Sequence, residues 1–316
     1  MYTLNDYLAM LSDQARVSSY TGAIDALVKP ADRVIELGSA FGYFSVLAVR
    51  AGAALVDAID MNPVVHLGPR VAASNGCADR IRFHHEDVSR FTPDRRADVI
   101  VADLRGPTPL AGRSLEILID ARRRMLRPGG TMIGRRDVLY CAPVRQPSAF
   151  ERRVMAPLGG GAEVNLDPVR AVATTTPFQC TIDSDDLLSP GMSWGEIDYA
   201  SIETPHHHGT AQWVLDDDVT MSGVAVWFEA HIGAGYCFST APGRGDTTYS
   251  HLYLPLRAAL PIKAKDSLVL DLAAHLVSGH YVWEWTARVC PADGGECSVF
   301  AQNSIAERVI DPAAFE

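Results

Sequence analysis

Carboxylates at the ends of successive β-rich runs are the groups in this 316-residue chain best placed to do chemistry. The run RVIEL leads into Glu36-Leu37-Gly38-Ser39-Ala40-Phe41-Gly42, and LVDAID ends in Asp60. RIRFHH is followed by Glu86, Asp87 and Val88, and ADVIVAD ends in Asp103. A carboxylate about 20 residues beyond a glycine turn can accept hydrogen bonds from both hydroxyls of a ribose. The turn itself departs from the GxGxxG loop of dinucleotide-binding folds, because Gly38 and Gly42 stand four apart with Ala40 between them. That spacing suits a ligand that needs close main-chain approach more than a nest for a pyrophosphate. Taken alone, the two glycines would read as an ordinary strand-to-helix turn and Glu86 as a solvated charge. With acids ending one strand after another, a nucleoside site is the stronger reading.

The elements that must hold these residues alternate. From Arg33 to about Gly134, β-rich runs and helical patterns take turns, with helices expected over 44–50, 64–74 and 115–126. Such alternation predicts an α/β, Rossmann-like doubly wound sheet, with ligands at the carboxyl ends of its strands. After about Val144 the pattern switches to period two, as in GVAVWFEAHI, HLYLPL, SLVLDLAAHL and HYVWEWTARV. An all-β, barrel-like second domain follows. The expected division is therefore 1–144 for the N-terminal helices and nucleoside-binding domain and 145–316 for the β domain, with LGGGAE at 158–163 the most linker-like stretch. Five tryptophans, Trp194, Trp213, Trp227, Trp283 and Trp285, fall in or near strands and are expected in the core.

Charge and composition exclude several function classes. A net charge of −10 argues against nucleic acid and anionic membranes as partners. No run approaches the roughly 20 apolar residues of a membrane span, and an N-terminus bearing Asp6 and Asp13 does not read as a signal peptide. The six cysteines are scattered without CxxC pairing, so neither a zinc site nor a disulfide framework is expected, and a reducing cytoplasm is the natural location. His206-His207-His208 reads as an exposed loop, not as a metal site, because no carboxylate or cysteine completes a ligand set at the right spacing.

The loop Glu36 to Gly42 resembles the E/DxGxGxG loop of class I S-adenosylmethionine methyltransferases. MLSDQARVSSYTGAI at 10–24, AVRAGA, ADVIVADLRG, GVAVWFEAHI and FSTAP before TTYSHLYLPL together resemble the protein arginine methyltransferases, a cofactor-binding α/β domain followed by a β-barrel. The resemblance implies S-adenosylmethionine as cofactor, with Glu36, Gly38, Ser39 and Gly42 forming its loop and Asp60 on its ribose. It places Asp87 and Val88 at the adenine, and Arg16 on the methionine carboxylate, which an arginine fork suits. It also implies a homodimer, in which a short helical arm at about 171–198 docks on a second subunit.

The residues that grip an arginine acceptor in that family are altered. Without gaps, its two acceptor-binding glutamates fall on Asp103 and Gly112, and its Thr-His-Trp motif falls on Thr247-Thr248-Tyr249. A gapped alignment instead recovers a histidine at His251, at the cost of a shift inside a strand. Glu116 or Asp120 could replace the missing acid, though helix-surface charge is the stronger reading of both. The expected function is thus methyl transfer to a small-molecule nitrogen or oxygen acceptor less cationic than arginine. Asp103 would accept a proton or orient a donor, and His251 would act as general base. Two alternatives stay open, an arginine or guanidino N-methyltransferase with a rearranged acid pair, and a non-catalytic S-adenosylmethionine-binding regulator.

Overall fold

The computed structural model describes residues 2–156, 164–245 and 247–305; the linker-like stretch at 158–163 lies outside them. Two N-terminal helices, α1 (Leu4–Met10) and α2 (Gln14–Leu27), precede a sheet built from β1 (Arg33–Leu37), β2 (Leu55–Asp60), β3 (Ile81–His85), β4 (Ala97–Ala102) and β5 (Leu126–Ile133). Its order is β3-β2-β1-β4-β5, with every pairing parallel. The strands read as continuous apolar runs because helices cover the sheet: Val34, Ile35, Val99, Ile100 and Val101 are all buried. The covering helices are α3 (Tyr43–Ala51), α4 (Gly68–Ser74) and α5 (Ser114–Met125). A 3-10 turn at Pro63–Leu67 begins the stretch expected to be one helix. Strand order reverses between β1 and β4, which opens a crevice at their carboxyl ends.

The remaining strands are antiparallel. β6 (Arg136–Val144), β7 (Phe178–Cys180), β8 (Met192–Asp198), β9 (His207–Val214), β10 (Val219–Gly233), β11 (Tyr236–Ser239), β12 (His251–Ile262), β13 (Ser267–Val277), β14 (His280–Cys290) and β15 (Ser298–Asn303) follow. They form the sheets β7-β12-β10-β6-β8, with β11 on β10, and β15-β14-β13-β9. The two sheets close on a core that includes Trp194, Trp213, Trp283 and Trp285, while Trp227 is buried in a second cluster on the other face of β10, with Phe150 and Tyr253. A Rossmann-like domain followed by a barrel-like β domain is the architecture expected from the sequence. β6, which a division at 144 assigns to the first domain, pairs with β10 and β8 of the second.

Three expectations are corrected. Residues 171–198 are not a helical arm: they contribute β7 and β8, and a register irregularity where β8 pairs with β6 lets both Trp194 and Ile197 be buried. The helical excursion lies earlier, at α6 (Ser148–Phe150) with the π-helical turn Glu151–Met155, and at α7 (Asp167–Ala173). His207 and His208 open β9 and do not sit in a loop. Cys290 and Cys297 are disulfide-bonded, because β14 and β15 form a hairpin whose loop brings their Cα atoms to 4.2 Å. That pair removes the argument from cysteine usage for a reducing compartment. Among the described residues no helix is long and apolar enough to cross a membrane.

Helix α2 ties the domains together. Asp13 caps it, accepting from the Arg16 amide at 3.1 Å and from the Thr248 amide ahead of β12 at 3.0 Å. Ser19 Oγ donates to the Cys237 carbonyl of β11 at 2.9 Å, and Tyr20 Oη donates to the Ala102 carbonyl ending β4 at 2.7 Å. The chain crosses from one sheet to the other at Gly134, where φ is +91° and a Cβ would stand 2.5 Å from the Ala102 oxygen. No side chain fits there without moving the end of β4. Gly134→Ala is expected to lower unfolding free energy by about 2–4 kcal/mol, from left-handed strain plus overlap with backbone. Urea denaturation monitored by tryptophan fluorescence checks this, and a loss near zero would refute the crossing constraint.

Candidate functional site

The crevice is a cavity of about 690 Å³ at the carboxyl ends of β1, β2 and β4, closed from above by α1, α2 and the segment before β12. Of the site residues expected from the sequence, all but Gly42 and His251 line it. Gly42 instead shapes the turn. Its φ of +83° and the left-handed Ala40 (φ +49°) fold the loop back so that α3 starts against β1, and a Cβ on Gly42 would meet the Phe83 ring at 2.7 Å.

Asp60 closes this turn. Its Oδ2 accepts from the Ala40 amide and its Oδ1 from the Asn62 amide, each at 2.7 Å. Burial raises its pKa even so. Each carboxylate oxygen retains a lone-pair site for a ligand hydroxyl. Asp87 accepts from the Ser89 amide at 2.8 Å, and hydrogen bonding from Ser89 lowers its pKa. Glu36 lies deeper, hydrogen-bonded by the Ser45 hydroxyl. Burial pushes its carboxyl up to about 8, so it is largely protonated at neutral pH.

The far end of the cavity is a buried ionic cluster. Arg16 Nε donates to Asp103 Oδ2 at 2.5 Å and to Tyr249 Oη at 3.1 Å, and Arg16 Nη1 donates to the Met10 carbonyl at 3.1 Å. Tyr249 Oη contacts both Asp103 oxygens, at 2.9 and 2.7 Å. Arg105 Nη1 donates to Asp103 Oδ1 at 2.9 Å and to Tyr20 Oη at 2.6 Å. Its Nε and Nη2 form a fork with Asp137 at 2.7 and 2.9 Å. Tyr199 Oη completes the Asp137 shell at 2.5 Å. Burial would raise the Asp103 pKa, but Arg16 and Arg105 outweigh it and hold the carboxyl at about 2. Such a carboxylate is a weak proton acceptor; its chemistry is to orient donors and to stabilise positive charge.

His251 does not join this cluster. It is 6% exposed, its Nδ1 accepts from the Ile182 amide at 2.9 Å, and its Nε2 meets the Thr240 carbonyl at 2.8 Å as donor. With both ring nitrogens held by main chain and burial lowering its pKa, it has no free lone pair for an acceptor proton. The assignment as general base is therefore withdrawn. Ser250, at φ +56°, breaks the strand alternation between Tyr249 and His251, so only Tyr249 reaches the cavity. Sequence reasoning passed over Arg105, Asp137, Tyr20 and Tyr199. Arginine directly after an apolar strand and its terminal acid was the available signal, since a charge at a buried position requires a partner.

S-adenosylmethionine fits the residues present. Ser39 Oγ is buried without a partner among the described residues and faces the cavity. Arg16 Nη2 carries no hydrogen bond to them either, although its Nε and Nη1 are engaged. Asp60 would take the ribose, the Gly38–Ala40 main chain with Ser39 the amino-acid portion, Arg16 Nη2 its carboxylate, and Asp87 with Val88 the adenine.

The comparisons agree with this geometry. The family model for ribosomal protein L11 methyltransferase (PrmA) matches residues 21–134. An arginine N(omega)-methyltransferase of Streptomyces achromogenes subsp. streptozoticus is 25% identical over 273 residues, covering 84% of this chain and 75% of that protein. A probable protein arginine N-methyltransferase 6 of Arabidopsis thaliana is 30% identical over 248 residues, covering 76% of this chain; the chain spans 57% of that relative's length. Among solved structures, Trypanosoma brucei PRMT1 enzyme-prozyme complex with AdoHcy matches with a TM-score of 0.82 at 16% identity, over 94% of this chain and 96% of that one. Arabidopsis thaliana protein arginine methyltransferase 10 matches with a TM-score of 0.82 at 16% identity, over 95% and 97%. At such identities the structural likeness is one of fold. The chain is a class I S-adenosylmethionine-dependent methyltransferase with a fold resembling that of the protein arginine methyltransferases.

The raised pKa of Glu36 sets a pH dependence. In the unfolded chain this carboxyl ionises in the ordinary range, whereas in the fold it keeps its proton up to about 8. Its stabilising contribution is complete below the ordinary range and is lost as pH rises through the folded value. Ligand-free wild type is therefore expected to lose more stability than Glu36→Gln between about pH 5 and about pH 9. Denaturant midpoints across that window check it; parallel curves would remove the buried-acid account.

Proposed function

We propose that the chain transfers the methyl group of S-adenosylmethionine to a nitrogen of an arginine or other guanidino acceptor. The observation that carries this reading is the buried Asp103 carboxylate at the end of β4, in the cavity wall beside Arg16, in a chain whose relatives are named as arginine N-methyltransferases. These relatives favour a guanidino acceptor over the less cationic one expected from sequence alone. Bound S-adenosylmethionine supplies an already activated methyl on a sulfonium centre. The chain's own work is then to position, to exclude water and to stabilise charge. Asp103, ionised down to about pH 2, would hold the acceptor's cationic nitrogen framework by charged hydrogen bonds, while Tyr249 and Arg16 fix the carboxylate's plane.

One observation favours a second reading, a small acceptor without a guanidinium group. Asp103 already accepts from Arg16, Arg105 and Tyr249, and Gly112, at the position of the family's second glutamate, has no side chain to replace the missing acid. Assembly as a homodimer belongs to the same proposal. Its support is the apolar exposure on the helical excursion at Met155, Val164, Val169 and Val172.

Transfer of labelled methyl groups to free L-arginine, an arginine peptide and a panel of guanidine-free amines and alcohols separates the two readings. L-arginine or the peptide is expected to be labelled. Labelling confined to guanidine-free acceptors would overturn the guanidino reading. Asp103→Asn is expected to lower turnover by about 100-fold, from loss of a preorganised charge, while still binding S-adenosylhomocysteine. Turnover close to wild type would remove Asp103 from the mechanism.

A further inference from the structure

A guanidinium site needs carboxylates matched to the planar fork and flat faces above and below it. The chain contains such a site, and Arg105 fills it. The Arg105 guanidinium lies between Asp103 at 2.9 Å and Asp137 at 2.7 and 2.9 Å, with the Tyr20 hydroxyl at 2.6 Å. The Tyr199 and Phe228 rings face it, with centroids 5.6 and 5.9 Å from its Cζ. Its side chain is 2% exposed. Two carboxylates contributed by β4 and β6 are thus joined by a cation of the chain's own.

From this we infer that Arg105 is a specificity-determining residue: an internal guanidinium that occupies Asp103 and competes with any guanidinium entering from the cofactor cavity. Asp103 and Arg105 both line that cavity, so an incoming guanidino group and Arg105 contend for the same Oδ1 lone pairs. Arg105 also places a positive charge against the place where a cationic acceptor would sit, which weakens that acceptor's binding further in a buried setting. Acceptors without a guanidinium lose nothing to this competition. The inference deepens the methyl-transfer reading of the cavity, and it does not depend on which acceptor the wild type turns over.

The test is calorimetric titration of L-arginine into protein saturated with S-adenosylhomocysteine. Arg105→Met combined with Asp137→Asn removes the internal cation together with the charge it would orphan. This double variant is expected to bind L-arginine at least roughly tenfold tighter than wild type, the worth of one charge-assisted hydrogen bond to a buried carboxylate. S-adenosylhomocysteine affinity should stay unchanged. Arg105→Lys, whose compact ammonium can stay on Asp137 while releasing Asp103, is expected to move the same way and is read alone should the double variant not fold. A folded variant that binds S-adenosylhomocysteine normally but L-arginine no better than wild type overturns the inference. Wild-type protein that methylates no guanidino acceptor, beside variants that gain arginine affinity, sinks the guanidino function while supporting the role of Arg105.

Discussion

Two guanidinium groups and two carboxylates, Arg16, Arg105, Asp103 and Asp137, share one buried cluster, and the geometry of the molecule is organised around keeping them together. None of these charges is tolerable in an apolar junction by itself, since desolvation of a lone ion costs several kcal/mol or more. Their partners come from α2, the end of β4, the loop beyond it and β6, with Tyr249 ahead of β12 and Tyr199 after β8 completing the shell. Six places in the chain must therefore arrive in register before the cluster is satisfied. The left-handed crossing at Gly134 brings β6 close enough to β4 for Asp137 to reach Arg105.

The same cluster decides what chemistry the cavity supports. Glu36 and Asp103 are both buried carboxyls on one ligand cavity, yet one is pushed up to about 8 and the other held at about 2. The difference lies in the partners: Glu36 has a serine hydroxyl, Asp103 has two arginines and a phenol. A carboxylate so strongly stabilised gives up proton affinity and keeps electrostatic authority. Asp103 therefore contributes alignment and charge and takes no part in removing a proton.

Legibility in the sequence divided along the same physical line. Acids at the ends of β2, β3 and β4 and the Gly38–Gly42 turn were readable because each depends on local backbone: a strand ends, a loop tightens, a side chain meets the crevice. The β domain was readable from period two in β10, β12, β13 and β14. What failed depended on long-range contacts. His251 looked catalytic because a histidine beside a motif position invites a base, and only the left-handed Ser250 and the amides around the ring assign it to structure. Arg105 and Asp137 are 32 positions apart in the chain, and no local pattern says that they form a fork. The span 171–198 has the place of an arm in the chain, and its strands form through long-range pairing with β12 and β6, not through a local period-two pattern.

The departures from the arginine methyltransferase pattern acquire a common cause when the cluster is taken as the constraint. An acceptor-binding acid at the end of β4 is useful to a cationic acceptor only while its lone pairs are free. Once an arginine stands two positions later in a buried loop, Asp103 divides its lone pairs between that arginine and any incoming guanidinium, and a second acid at 112 would complete a site already weakened by competition. Glycine there costs nothing under that condition, and its left-handed φ of +52° lets the loop turn into α5. Shortening glutamate to aspartate follows as well, because the nearer carboxylate has to meet Arg16 and Tyr249 behind it while contacting Arg105. One buried guanidinium thus accounts for two substitutions that look independent along the chain.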